Sequence, residues 1–305
     1  MNYSIVVPTL NGGQVWNRAA QALASQRPRP SRLLVIDSGS TDQTVVTARE
    51  HDFEVRSIEA SNFDHGGTRQ LAVEQLAEAE VIVFLTQDAV LLREDSVANL
   101  IDAFQQPEIG AAYGRQIPST DASEFEQHAR TFNYPESTVI KSAQSIADLG
   151  LKTAFCSNSF AAYRRSTLQE VGGFPARTLF AEDMLVAARM IVAGYSVAYQ
   201  ADALCEHWHD YTVVQEFKRA FDIGAFHHRE SWILDVFGKA PGEGAKLIKT
   251  GLSRILAKNP KELPTALFKY LAKTVGYMTG RLESSIPVTF KKKLSMNRVF
   301  WTAHD

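Results

Sequence analysis

The first ninety residues alternate between short runs of β-branched and aliphatic residues and longer stretches with helical periodicity. The runs are YSIVVPT, RLLVID, FEVRSIEA and VIVFLTQD, which begin at Tyr3, Arg32, Phe53 and Val81. When a helix connects two strands of one sheet by a right-handed crossover, the strands lie parallel. The pattern therefore predicts an α/β fold, Rossmann-like, with a mostly parallel sheet flanked by helices.

Polar residues stand where the predicted strands end. Pro8 and Thr9 close the first strand, Asp37 closes the second, and Asp88 closes the fourth. Open α/β sheets bind ligands beyond the carboxyl ends of their parallel strands, so we expect these side chains to line one site. Arg69, in the segment GGTRQ, either meets a base or phosphate at this edge or forms a surface ion pair.

Two further motifs carry acids and histidines. FAEDMLVAARM places Glu182 and Asp183 at the start of a predicted helix, where they either complement the helix dipole or face a cleft. Neighbours on a helix point about 100° apart, so at most one acid is expected to face a shared cleft squarely. CEHWHDY places His207 and His209 on one face of an extended segment, which suits a metal but also suits solvated or core histidines.

The strands lack the glycine-rich motifs of two large nucleotide-binding classes. Neither GxGxxG nor GxxxxGK[ST] follows a strand, which argues against a dinucleotide oxidoreductase and a P-loop enzyme. A nucleotide is still a candidate ligand, because Asp37 can accept a hydrogen bond from a base or ribose. A nucleotidyltransferase needs a basic phosphate loop after the first strand, whereas PTLNGGQVWN has no lysine or arginine before Arg18.

Charge is distributed unevenly along the 305 residues. The net charge of −2 gives no expectation of nucleic-acid binding, but residues 239–305 hold 13 Lys and Arg against 4 acids, which leaves −11 on residues 1–238. No run approaches the ~18 apolar residues that span a bilayer, and MNYSIVVPTLNGG does not resemble a signal peptide. With two cysteines and no CxxC spacing, we expect reduced thiols in a cytoplasmic protein.

Beyond residue 210 the pattern becomes helical, which predicts an α/β domain with the ligand-binding and catalytic residues over 1–210 and a helical region over 211–305. Two segments, GAKLIKTGLSRILAK and TALFKYLAKTVGYM, are basic and amphipathic, as in helices that lie on anionic membranes. Alternatively they pack on the main domain with their lysines in solvent, or they contact a second subunit. Their apolar stripes are Leu247, Ile248, Gly251, Leu252, Ile255 and Leu256, and Leu267, Phe268, Leu271, Val275 and Met278.

Short motifs follow one another along the chain in a fixed order: PT, DSGSTD, GTR, an acid closing a strand, GGF, ED and HxH. In these motifs, over residues 2 to about 230, the chain resembles the family 2 glycosyltransferases of the GT-A fold. Six segments are more narrowly similar to rhamnosyltransferases that build bacterial O-antigen and other surface polysaccharides. They are NFDHGGTRQ, TQDA, YGRQIP, FNYPES, CSNSFAAYRR and EHWHDYT. The resemblance implies inverting transfer of L-rhamnose from dTDP-L-rhamnose to a lipid-linked glycan. It also implies work at the inner face of the plasma membrane.

The resemblance further implies roles for single positions. Asp183 matches the catalytic base of inverting members, with Glu182 beside it. Asp88 matches the last acid of the DxD metal motif, and His207, or alternatively His209, matches a ligand to the metal or diphosphate. The residues that we expect at the nucleotide are Pro8, Thr9, Asp37, Arg69 and Gln87.

The DxD motif is incomplete in this chain, because Thr86 stands where the first acid would be. A threonine supplies no charge, so two carboxylates cannot hold the metal here. Mg²⁺ or Mn²⁺ usually takes about six ligands and draws several from substrate phosphates and water. We therefore expect Asp88, a histidine, the donor diphosphate and waters to complete the shell. The metal should bind weakly until the nucleotide sugar is present.

Two rival functions share these motifs. A glycosyltransferase that uses a UDP-hexose would differ in the sugar pocket and keep the same catalytic residues. A non-catalytic subunit that only binds a sugar nucleotide is suggested by the missing acid at Thr86. Donor preference separates the first rival, and the absence of turnover would identify the second.

Overall fold

The computed structural model describes residues 1–238 and 242–302, which build a mixed sheet with helices on both faces. The strands are β1 Tyr3–Thr9, β2 Arg32–Asp37, β3 Glu54–Ser57, β4 Val81–Leu85, β5 Val90–Leu91, β6 Ile109–Ile117, β7 Val139–Lys141, β8 Phe160–Arg164 and β9 Ser196–Glu206. The helices are α1 Gly13–Ala24, α2 Thr44–Glu50, α3 His65–Gln75, α4 Ser96–Ile101, α5 Glu124–Asn133, α6 Ile146–Leu149, α7 Arg165–Glu170, α8 Glu182–Val192, α9 Val213–Arg229, α10 Ser231–Phe237, α11 Glu243–Lys258, α12 Leu263–Gly280 and α13 Val288–Leu294.

The sheet buries an apolar core on each face, as a doubly covered parallel sheet requires. In β1, Ile5 and Val7 pack with Trp16 of α1 on one face. Val6 points the other way and belongs to the same core as Val73 of α3. All three β1 side chains are fully buried, which explains why the strand is apolar throughout instead of alternating.

The strand order is β3-β2-β1-β4-β8-β6-β9-β5, and β7 pairs with β9. The strands β1 to β4 are parallel to one another, β6 and β9 are parallel to each other, and β8 lies antiparallel between β4 and β6. The predicted mostly parallel sheet with flanking helices is thus confirmed. Its register sets Thr9 opposite Asp37, so the two strand ends meet as expected.

One part of the chain is more regular than its sequence indicates. The segment from residue 118 to about 155 predicts little secondary structure, yet α5 forms there over ten residues. Ser123 caps this helix by accepting a hydrogen bond from the Glu126 amide, and Phe125 is buried against α11 and α12. The strand β8 follows this segment and occupies the middle of the sheet, between β4 and β6.

The helices α9 and α12 pack closely through glycines. A Cβ atom on Gly276 would lie 2.3 Å from the Phe217 carbonyl oxygen, and one on Gly280 would lie 2.1 Å from that of Phe221. Larger residues at these two positions would push the helices apart. The residues that α12 buries against the body are accordingly small at four of six positions, Ala266, Ala272, Gly276 and Gly280, with Lys269 and Tyr270 as the two larger ones.

The large apolar residues of α12 consequently point away from the body. Its charged residues, Lys269 and Lys273, form ion pairs with Asp210 and Glu216. The alternative of an apolar stripe packed inward with lysines in solvent fits α11, where Ile255 is buried, but is wrong for α12. The apolar face of α12 comprises Leu267, Phe268, Leu271, Val275 and Met278, which are 50%, 62%, 59%, 45% and 62% exposed.

Candidate functional site

A cavity of about 610 Å³ opens at the carboxyl ends of β1, β2 and β4 and extends to α5, α8 and α9. Nine of the ten side chains predicted for the site line it, and further lining residues such as Glu216 and Arg219 lie beyond residue 210. The division into regions 1–210 and 211–305 therefore stays a prediction. The nine residues are Pro8, Thr9, Arg69, Gln87, Asp88, Glu182, Asp183, His207 and His209.

Asp37 is the predicted residue that does not line the cavity. Its Oδ1 accepts hydrogen bonds from the hydroxyls of Thr9 and Ser40 at 3.0 and 2.5 Å. Its Oδ2 accepts from the amides of Gly39 and Ser40 at 3.0 and 2.9 Å. The carboxylate therefore shapes the loop beneath the cavity, and the neighbouring Ser38 is the residue that reaches the cavity wall.

Gln87 ties two strand ends together. Its side-chain amide accepts from the Leu10 amide at 2.8 Å and donates to the Leu10 carbonyl at 3.1 Å. This pair of hydrogen bonds joins the loop after β4 to the loop after β1. Gln87 thus positions the cavity wall, and its predicted contact with a nucleotide stays a prediction.

Arg69 forms an ion pair, but a buried one. Its guanidinium lies 3.0 Å from Glu182 Oε1, and the two side chains are 4% and 9% exposed. Asn158 donates a further hydrogen bond to the same Glu182 oxygen at 3.0 Å. Burial alone would raise the pKa of Glu182, but Arg69, His65 and the hydrogen bond from Asn158 together outweigh it and hold the pKa below its usual range. Glu182 is therefore an anchored, ionised acid.

Asp183 has the opposite electrostatic environment, although it is the next residue. Its carboxylate accepts from the backbone amides of Asn158 and Met184 at 3.0 and 2.8 Å. Burial, with the charge of Glu182 beside it, raises the pKa of Asp183 to about 7. A group whose pKa lies near the working pH is well suited to accept a proton. Environments that separate the pKa values of two acids indicate separate roles for them.

Asp88, His207 and His209 form a cluster whose candidate ligand atoms all lie within 4.8 Å of one another. The Nε2 atoms of His207 and His209 are each 3.5 Å from a different oxygen of Asp88. Burial lowers the pKa of His207, and it lowers that of His209 to about 4, which favours the neutral imidazoles that bind metals. Burial opposes ionisation of Asp88, but hydrogen bonding and charge attraction from a protonated His207 prevail, so in the protein without metal the pKa of Asp88 lies well below its usual range.

Gln116 and Arg130 support this cluster and were not singled out from the sequence. Gln116 Oε1 lies 2.9 Å from His207 Nδ1 and also accepts from Arg130 at 2.5 Å. Because this oxygen can only accept, Nδ1 carries the proton and the Nε2 lone pair of a neutral His207 faces Asp88. The donor set of one carboxylate and two imidazoles therefore fits a divalent cation such as Mn²⁺.

The sequence did contain a signal for two of the residues that were missed. Gln116 is a polar residue near the end of the apolar run IGAAYGRQI, and Asn158 follows Cys156 just before the apolar FAAYR. Both are buried, at 2% and 3% exposed. Buried amides need partners, so their positions indicate contacts with other polar groups. The sequence does not indicate which groups those are.

Comparisons with known proteins agree with this architecture. The family model described as Glycosyl transferase family 2 matches residues 4–172. The chain is 44% identical over 302 residues to the O-antigen chain rhamnosyltransferase RfbN of Salmonella typhimurium, covering 99% of this chain and 96% of that one. It is 43% identical over 301 residues to the O-antigen chain rhamnosyltransferase WbaN of Salmonella anatum, covering 98% and 96%.

Two solved structures are similar in fold. The mannosyltransferase PcManGT from Pyrobaculum calidifontis, in complex with GDP-Man and Mn²⁺, matches with a TM-score of 0.59 and 20% identity over 99% of this chain and 86% of that one. S. aureus TarS 1–349 matches with a TM-score of 0.54 and 16% identity over 99% and 88%. The GT-A fold expected from the motifs is confirmed, and the chain belongs to glycosyl transferase family 2.

Proposed function

We propose that this glycosyltransferase is an inverting, metal-dependent rhamnosyltransferase of O-antigen synthesis, which moves L-rhamnose from dTDP-L-rhamnose to a lipid-linked glycan. The observation that carries the proposal is that Asp183, with its raised pKa, and the cluster of Asp88, His207 and His209 line one cavity. Support for the sugar comes from two relatives named rhamnosyltransferases, which match along almost their whole length.

In the proposed reaction, Asp183 accepts the proton of the acceptor hydroxyl as that oxygen attacks the anomeric carbon. Arg69 keeps Glu182 ionised, and the nearby negative charge makes Asp183 a stronger base. Asn158 holds both acids through its amide and its side chain. Attack on the face opposite the diphosphate converts a β-linked donor into an α-L-rhamnoside and requires no protein nucleophile.

Asp88, His207 and His209 are the residues that we propose for the metal, and Gln116 orients His207 among them. A bound Mn²⁺ or Mg²⁺ supplies Lewis-acid stabilisation of the charge that develops on the leaving diphosphate. Two imidazoles favour Mn²⁺ over Mg²⁺, because Mg²⁺ prefers oxygen ligands. We propose the nucleotide at the ends of β1 and β2, beside Pro8, Thr9 and Ser38.

Product analysis tests this function against its rivals. The protein is incubated with Mn²⁺, a lipid-linked glycan extract and, in separate reactions, dTDP-L-rhamnose, UDP-glucose, UDP-galactose and GDP-mannose. Mass spectrometry is expected to show the addition of one deoxyhexose from dTDP-L-rhamnose. Transfer from a UDP-hexose instead would show that the donor is wrong. Tight donor binding without any product or donor hydrolysis would favour a non-catalytic subunit.

We also propose that the protein works from the cytoplasmic side of the membrane, with the apolar face of α12 resting on the lipid. Among the described residues no helix is long and apolar enough to cross a bilayer. The apolar face of α12 carries no charge, while residues 239–305 have nine more positive than negative charges, which complements anionic lipid. Two copies docked through α12 would bring two regions of the same net positive charge near each other, so we take a membrane as the partner.

Val275→Glu is expected to weaken binding to vesicles of phosphatidylglycerol and phosphatidylethanolamine at least about 10-fold, since it loses ~1.5 kcal/mol of valine burial and adds a repelled charge. Flotation of the purified protein with the vesicles measures the bound fraction. Val192→Glu is the matched control, because Val192 ends α8 and is 59% exposed, far along the chain from α12. Equal losses in both variants would contradict this docking face. A Val275-dependent dimer in solution would instead identify a second copy as the partner.

A further inference from the structure

One wall of the cavity is built from helices and carries charged side chains, of which only Arg130 takes part in the proposed metal site, through Gln116. Its members lie on α5, α9 and α12, away from the ends of β1 and β2. They include two acids and three bases on surfaces that also line the cavity beside Asp183. The five residues are Glu126, Arg130, Glu216, Arg219 and Lys273.

Glu216 is the most unusual member of this wall. Its side chain is 2% exposed, and its Oε1 has no hydrogen-bond partner within residues 1–238 and 242–302. Its Oε2 lies 3.4 Å from Lys273 Nζ, a long ion-pair distance. Leaving a buried carboxylate oxygen without a donor is costly, and such groups in a cavity indicate a missing hydrogen-bonding ligand.

Glu126 adds a second buried carboxyl group to the same wall. It is 5% exposed, and burial raises its pKa; the charges of Lys273 and Arg130 oppose this rise, and that of Glu216 adds to it. Two buried acids that repel each other across a shared space lower the stability of the helix packing. Hydroxyl groups of a ligand placed between them would donate to both carboxylates and relieve the repulsion.

Arg219 completes the wall with a cation held between aromatic rings. Its guanidinium carbon lies 4.8 Å from the ring centre of Phe180 and 5.7 Å from that of Tyr211. Both rings line the cavity with it. An arginine braced by two rings presents its N–H groups in a fixed direction, ready to donate to a neutral or anionic oxygen.

We propose that this wall is the acceptor subsite and that it binds a saccharide. Glu216 and Glu126 accept hydrogen bonds from hydroxyls of the acceptor sugar, and Arg219 donates to its oxygens. The inference rests on the proposed function. In that reaction the acceptor hydroxyl lies beside Asp183 and attacks the anomeric carbon from the side opposite the donor diphosphate. Carboxylates, a guanidinium and aromatic rings around one space together match the hydroxyls and apolar C–H faces of a pyranose ring.

The test measures saccharide binding without donor or turnover. Methyl glycosides of glucose, galactose, mannose and rhamnose serve as probes in saturation-transfer NMR with the full-length protein. At least one is expected to give a signal with wild type, and Glu216→Gln is expected to lose most of it, because an amide is a weaker acceptor. With the lipid-linked acceptor, Glu216→Gln should raise the acceptor KM 10-fold or more and leave the calorimetric affinity for dTDP-L-rhamnose within twofold.

Glu124→Gln is the matched control. Glu124 lies on α5 like Glu126, pairs with Arg254 at 2.8 Å and does not line the cavity, so this variant should bind the probes as wild type does. An unchanged NMR signal in Glu216→Gln would overturn the proposal. A lower melting temperature of Glu216→Gln together with a loss of donor affinity would also overturn the proposal, because that result would show that Glu216 stabilises the packing of the helices. Failure of dTDP-L-rhamnose as donor would contradict the proposed function and leave the NMR result valid.

Discussion

Asp183→Asn is expected to lower kcat for sugar transfer by about 10²- to 10⁴-fold, the range that a general base contributes. An asparagine keeps the shape and still accepts from one of the two backbone amides, those of Asn158 and Met184, but it cannot take a proton. The measurement is the initial rate of dTDP release with dTDP-L-rhamnose and acceptor. Asp202→Asn is the control, because Asp202 is exposed on β9 and outside the cavity.

Stability separates a catalytic effect of this substitution from misfolding. The folded state raises the pKa of Asp183 to about 7, so it binds a proton that the unfolded chain releases near pH 4. The Asp183 carboxyl therefore lowers the free energy of unfolding progressively as pH rises from about 4 to 7, and the full decrease is present above that range. Asp183→Asn removes this decrease but loses one of the two backbone hydrogen bonds, so its melting temperature at pH 8 should stay close to that of wild type. Transfer at the wild-type rate would show that another group is the base.

The same pKa predicts the pH dependence of wild type. Below about 7 Asp183 is protonated and cannot act as a base, so kcat/KM should fall with decreasing pH through an apparent pKa near 7. Glu182→Gln removes the adjacent negative charge and should move this limb to lower pH. A limb that stays in place in this variant would contradict the electrostatic coupling of the two acids.

Asp88→Asn is expected to abolish stimulation by Mn²⁺ and to lower transfer about 10²- to 10³-fold, because a Lewis acid contributes several kcal/mol to stabilising developing charge. An asparagine keeps one oxygen near the imidazoles of His207 and His209 but removes the negative charge that attracts the cation. Rates are measured across a Mn²⁺ titration. An undiminished metal response would remove Asp88 from the proposed metal site.

Thr86→Asp tests the same site by restoring the acid that the strand end lacks. We expect wild type to bind Mn²⁺ weakly alone and much more tightly with dTDP-L-rhamnose, because the donor supplies phosphate ligands. The added carboxylate should strengthen Mn²⁺ binding without donor, as measured by calorimetry, whereas Thr86→Asn should leave it unchanged. Tight Mn²⁺ binding by donor-free wild type would contradict the idea that the nucleotide sugar completes the shell.

The sequence placed the strand ends correctly but not the partners of every residue there. Thr9 and Asp37 meet because two apolar runs of similar length pair in parallel, which periodicity alone indicates. Arg69 was expected to meet a nucleotide or to form a surface ion pair. In the structure it is buried against Glu182, which lies 113 residues later in the chain. Local sequence carries no information about such a pairing.

The electrostatic difference between Glu182 and Asp183 also depends on distant parts of the chain. The motif predicts two acids at a helix start, and both are found there. Arg69 from α3 makes one a stable anion, whereas burial raises the pKa of the other. Likewise, HxH indicates a possible metal site, but Gln116 of β6 determines which ring nitrogen of His207 faces Asp88.

The sequence by itself determined the α/β class, the family and the strand ends at which the cavity lies, because these follow from periodicity and from short motifs in a fixed order. Only the tertiary structure decided which faces of the C-terminal helices pack against the body of the protein. In α12 the small residues meet α9 because Gly276 and Gly280 allow close helix packing, so the large apolar residues are left outside. In the cavity, folding gathers Glu126, Glu216 and Arg219 beside Asp183, because side chains far apart in sequence become neighbours only when helices pack.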